Sequence, residues 1–164
     1  MSMTKHLVIM AVSLAAALSS CRSSNLDDAF GASSFGYAAA IEDIRLLPEA
    51  RTQFKARNYG KSYALFKKSA EVYPNNPAAW LGLAASADQL GQFDTADTAY
   101  GALAKLIPGT VEYYNNIGYS ALLRGELRSA AQHFAKAQAL APRSVTVANN
   151  LRLLRNSVSR AKRS

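Results

Sequence analysis

Between residues 80 and 142 the apolar positions recur at steps of three and four, as in Phe93, Ala96, Tyr100 and Leu103. That spacing lines one face of an α-helix and fits no strand. Over the helical step lies a longer one of 34 residues. It relates Pro74, Pro108 and Pro142; Phe66, Tyr100 and Phe134; Tyr59, Phe93 and Leu127; Ser62, Ala96 and Ala130; and Ala50, Ala84 and Gly118. The stretches 80–108 and 114–142 are copies of one unit. A single unit cannot bury its apolar face alone, whereas a stack of copies forms a continuous core.

Each recurring position has a mechanical reading. Small residues at Ala84 and Gly118, facing Ala96 and Ala130, let the two helices of a hairpin approach closely. Trp80 or Tyr114, with Tyr100 or Phe134, fills the space between neighbouring hairpins. Gly91 and Gly125 suit the left-handed turn that ends a helix. Pro108 and Pro142 help to stop the second helix of a unit.

This pattern resembles the tetratricopeptide repeat, which implies an all-α solenoid of stacked antiparallel helix pairs. The expected layout is a domain over 41–160 with repeats at about 43–76, 77–110 and 111–144. A capping helix follows at 145–160, then a basic tail at 161–164. The first repeat departs from the pattern. It has Leu46 where the others carry Trp80 and Tyr114, Pro48 inside its first helix, and Arg57 at the glycine position. Its first helix is expected to be shortened, or to start near Pro48.

The front of the chain has a different pattern. Lys5 and His6 precede an uncharged apolar run at 7–18, then Ser19, Ser20 and Cys21, the sole cysteine. A helix of that run is about 18 Å long, too short for a hydrocarbon core of about 30 Å, so residues 1–20 read as an export signal. Leu18-Ser19-Ser20-Cys21 resembles a bacterial lipobox, which implies cleavage before Cys21, a diacylglycerol on its thiol and an acyl chain on the new amino terminus. Such a double anchor agrees with the need for more than one chain for stable membrane attachment. Residues 21–40, rich in Ser, Gly and Asp, are expected to act as a tether.

Candidate chemistry is sparse. His133 is the one histidine beyond the signal, and it is expected on an outer helix face. No metal-ligand spacing, phosphate loop or nucleophile motif occurs. Asp94 and Asp97 open a helix after Gly91, where carboxylates complement the dipole. The expectation is therefore a binding protein without catalysis, cofactor or metal. In the resembling family the first helices line a peptide groove, and the second asparagine of a pair grips ligand backbone. By position this falls on Asn116 and Asn150, with Asn115, Asn149, Tyr119 and Arg152 beside them. The second repeat has Gly82 at that place, so the groove is not uniform.

Charge is the last pattern. Residues 1–126 hold 11 basic and 11 acidic residues, while 127–164 hold eight basic and no acidic ones. A block of one sign favours an anionic partner, either protein or lipid, or else keeps a terminal helix in solution. The basic tail lacks the aromatic platform of a single-strand nucleic-acid binder, so nucleic acid is not expected.

Signal, lipobox and repeats together, with the closing pattern at 115–154, resemble the tetratricopeptide lipoprotein of the tight-adherence (Tad/Flp) pilus assembly machinery. The resemblance implies a periplasm-facing lipoprotein of the outer membrane that binds protein partners while a pilus or secretin complex assembles. A pilotin or general envelope scaffold is the alternative, and a groove that processes glycan is a third.

Overall fold

The computed structural model describes residues 45–163. The signal segment 1–20, Cys21 and the tether at 21–40 lie outside the described residues. Among the described residues every regular element is helical. They are α1 (45–55), α2 (Tyr59–Val72), α3 (Pro77–Gln89), α4 (Phe93–Leu106), α5 (Val111–Leu123), α6 (Leu127–Leu140) and α7 (Val145–Ala161). Consecutive helices pack as hairpins, α3–α4 and α5–α6, and α7 closes the stack against α6 and α5; α1 meets α2 through the Ser62 hydroxyl on the Ala50 carbonyl and the Phe54–Tyr59 ring contact. The expected all-α solenoid is what forms. No described helix is long and apolar enough to cross a membrane.

Helix starts alternate between two devices, each repeated every 34 residues. First helices begin on a side-chain cap. Asn76 accepts from the Ala78 amide ahead of Pro77, Thr110 Oγ1 from Tyr113, and Ser144 Oγ from Val147. Second helices start at Asn58, Gln92 and Glu126 without any side-chain cap bond. They rely on the turn before them, where Arg57, Gly91 and Gly125 take φ of 61°, 70° and 78°. The next amide in each case bonds back five residues, to the carbonyls of Gln53, Ala87 and Ala121, at 2.9 Å. This helix-ending motif needs a left-handed residue, so the backbone holds Arg57 in a conformation that suits glycine.

Helix α1 runs through Pro48, being already helical at Arg45, so Pro48 is neither its start nor its break.

The core follows the register. Ala50, Ala84, Ala96, Ala130 and Phe134 are fully buried, and Phe66 and Tyr100 are nearly so. Gly118 is small for a cause: a Cβ there would stand 2.8 Å from the Phe134 ring. Leu154 is buried on α7, with Leu151 and Val158 packed beside it on Ala121, Ala130 and Phe134. Trp80 lies against the core of the first two hairpins and donates its indole N–H to the Pro74 carbonyl at 2.7 Å.

Candidate functional site

The first helices share one face, and a groove of about 440 Å³ runs along it. Phe54 of α1, Ala85, Asp88 and Gln89 of α3, Asn115, Asn116 and Tyr119 of α5, and Asn150 and Leu153 of α7 line the wall. Four of the six residues singled out in the sequence therefore meet here. Asn149 and Arg152 do not line the groove; both are exposed on α7.

The asparagines are held, not loose. Asn150 Nδ2 donates to Asn115 Oδ1 at 2.8 Å, tying α7 to α5, with Asn115 only 9% exposed. Asn116 Nδ2 donates to the Glu112 carbonyl at 2.7 Å within its own helix. Each keeps its amide oxygen and one N–H unbonded among the described residues, enough to meet one peptide unit.

Beneath the amides lies a polar network that sequence reading missed. Asp88, 5% exposed, accepts from Tyr100 Oη at 2.9 Å and from Ser120 Oγ at 2.7 Å. Arg124 Nη2 donates to Ser120 Oγ at 3.1 Å, and the guanidinium grips Asp97 through two bonds of 2.9 and 2.6 Å. Its plane also covers the Phe93 ring at 4.7 Å. Tyr100 Oη stands 3.4 Å from the Asn116 carbonyl oxygen, directly under the groove wall. The chain of contacts thus couples α3, α4 and α5. Asp97 is more than a helix-opening carboxylate: it clamps the next hairpin.

Burial pushes the Asp88 carboxyl above its ordinary range, against the pull of Ser120, Tyr100 and Arg124. The Arg124 hydrogen bonds hold the Asp97 carboxyl below its ordinary range. Burial and the Asp88 charge push the Tyr100 phenol far upward, so it stays a donor. The signal for this network was present in the sequence. Asp88 occupies the register position of Phe54 and Leu122, where a carboxylate in the core must find partners.

His133 is half-buried, not on an outer face. Its ring stacks on Tyr114 at 6.3 Å, and burial, with Lys136 nearby, lowers its pKa. Among the described residues no cluster of three or more His, Cys, Asp or Glu side chains could hold a metal ion. The basic residues after Glu126, from Arg128 to Arg163, are all exposed and form no ion pair among the described residues.

Comparison with known proteins agrees with this architecture. Residues 53–116 match the model of the family described as Tetratricopeptide repeat. The chain is 24% identical over 115 residues to the small glutamine-rich tetratricopeptide repeat-containing protein 2 of Mycosarcoma maydis, covering 70% of this chain and 33% of that protein. It thus spans about a third of that relative's length. Among solved structures, the first TPR domain of human RPAP3 superposes with a TM-score of 0.63 at 19% identity, covering 74% of this chain and 96% of that one. PcrH, in complex with the chaperone binding region of PopD, gives 0.60 at 20% identity, covering 76% and 95%. The fold is that of tetratricopeptide-repeat domains.

Proposed function

We propose that this chain is a lipid-anchored adaptor of the bacterial envelope, whose groove holds an extended segment of a partner protein while a Tad/Flp pilus or secretin complex assembles. One observation carries the binding half: the first helices of successive hairpins build a single groove, and two fixed asparagines present spare amide groups to it. An extended segment has unpaired backbone donors and acceptors, and fixed amides match them at little entropic cost. PcrH shares the fold and is in complex with the chaperone binding region of PopD, which supports a protein segment as the ligand here. The anchoring half rests on the lipobox pattern at Leu18–Cys21, and the assembly context rests on the resemblance of 115–154.

Two experiments test the halves separately. Cys21→Ser is expected to move the protein from the membrane fraction to the soluble fraction; unchanged fractionation removes the anchor. Asn116→Ala with Asn150→Ala is expected to lower capture of envelope proteins several-fold at unchanged helicity. Equal yields from parent and double variant would falsify the groove reading.

A further inference from the structure

At the end of the groove formed by α1 and α3, the wall changes character. Where α5 and α7 carry Asn116 and Asn150, α3 carries Gly82, one register step earlier. A Cβ at Gly82 would overlap the Phe66 ring, so the ring occupies the place of a side chain and floors a notch of about 220 Å³. Phe54, Ala78, Leu81 and Ala85 make up its apolar walls, and Phe54 and Ala85 also line the amide groove, so the two spaces adjoin. At its rim stand Arg51 and Lys55, both exposed, and neither forms an ion pair among the described residues. Drug-sized ligands occupy pockets of about 300–1,000 Å³; this notch has room for one large apolar side chain.

We infer that the notch at Gly82 is the anchor site of the groove, and that it takes one large apolar side chain of the bound segment with carboxylates on the residues beside it. The inference rests on the groove reading and adds the chemistry of the ligand. A peptide whose backbone bonds to the amide-lined end continues into the notch, where a Phe or Leu side chain leaves water against Phe66 and Leu81. The flanking carboxylates then meet two cations that form no ion pair among the described residues. Removal of the apolar side chain costs affinity through lost burial, and reversal of the rim charges inverts the preference for the flanking residues.

The test uses three fluorescent Gly/Ser peptides of equal length, centred on Asp-Phe-Glu, Asp-Ser-Glu or Lys-Phe-Lys, titrated into the protein by anisotropy. The first is expected to bind about tenfold or more tightly than either of the others. Arg51→Glu with Lys55→Glu, both on the surface, is expected to reverse the order of the Asp-Phe-Glu and Lys-Phe-Lys peptides without loss of helicity. Ala78→Met, which fills the notch from its edge, is expected to weaken both Phe-centred peptides alone. Gly82→Asn restores the asparagine of the neighbouring repeats but must displace Phe66, so the rim variant carries the decision if that protein fails to fold. Equal binding of all three peptides, or an order that the rim variant leaves unchanged, overturns the anchor site and leaves the groove reading standing. Absence of binding by every peptide overturns both.

Discussion

In the hairpin α3–α4, positions 88, 97 and 100 carry Asp, Asp and Tyr; 34 residues on, in α5–α6, the same places carry Leu122, Ala131 and Phe134. The backbone is the same in both, down to the left-handed glycines and the amide bonds that return five residues. The joints to the next unit are not. The joint from α3–α4 to α5 is ionic, built on Asp88, Asp97, Ser120 and Arg124. The joint from α5–α6 to α7 is apolar, built on Phe134, Leu154 and their neighbours, with one amide pair at the groove side. Hydrophobic packing with a single amide pair suffices to join α7 to the hairpin before it. The polar joint therefore marks the place where the relative setting of hairpins is held by directional bonds, and it lies directly beneath Asn116.

That contrast can be broken at its centre. Asp88→Ala takes the carboxylate acceptor from Ser120 and leaves Tyr100 only the longer contact to the Asn116 carbonyl, and is expected to destabilise by about 2 kcal/mol. Copying the apolar joint instead, with Asp88→Leu, Ser120→Ala and Tyr100→Phe together, is expected to recover most of that loss, because no buried donor is orphaned. Urea unfolding curves of the two variants check this, and a triple variant no more stable than the single one would refute it. On the apolar side, Gly118→Ala forces the Phe134 ring aside and is expected to cost about 2 kcal/mol, read as a lowered urea midpoint.

A smaller effect tests the shared backbone. Arg57→Gly relieves a non-glycine residue at φ 61° and is expected to stabilise by about 1 kcal/mol, whereas Gly91→Ala should cost about as much. A lower melting temperature for Arg57→Gly would argue against strain at that turn.

The smallest effect is in pH. The folded state raises the Asp88 carboxyl above its ordinary 3.8, so folding favours its protonated form. The stability contributed by that proton is complete below pH 3.8 and is lost as pH rises through the raised value. Asp97 works in the opposite sense: its lowered carboxyl contributes stability above 3.8 that is lost as pH falls through the lowered value. The parent is therefore expected to lose stability relative to Asp88→Asn as pH rises past 3.8, since that variant keeps Asp97. A difference that does not change with pH would show that Asp88 is not set apart by its burial.

The repeat could be seen in the sequence because it is made of steric positions. Gly91 and Gly125, the buried alanines and the ring at 66, 100 and 134 are each dictated by local backbone or by close approach, so they recur at one spacing. Arg57 was visible as an exception for the same reason. The site was less legible because it depends on which side chains meet across helices. Asp88 looks like an ordinary residue near a helix end until Tyr100 and Ser120, 12 and 32 residues away, are brought to it. Asn116 and Asn150 could be placed on the groove by register. Their bonds to Glu112 and Asn115 could not be foreseen, since an amide chooses among partners only once the helices are stacked. Gly82 stood out as a gap in the asparagine series, but the notch it leaves takes its floor from Phe66 and its rim from α1.

Trp80 is the sole tryptophan, and its indole is fixed at the α2–α3 corner by the Pro74 carbonyl. Indole emission, excited selectively over the tyrosines, therefore reports the first half of the stack and is blind to the last. In a linear array whose units contact only their neighbours, the end beyond the polar joint can melt first. Far-ultraviolet dichroism would then fall while the indole signal held steady, and the separation of the two curves would measure how strongly that joint makes one cooperative body of the array.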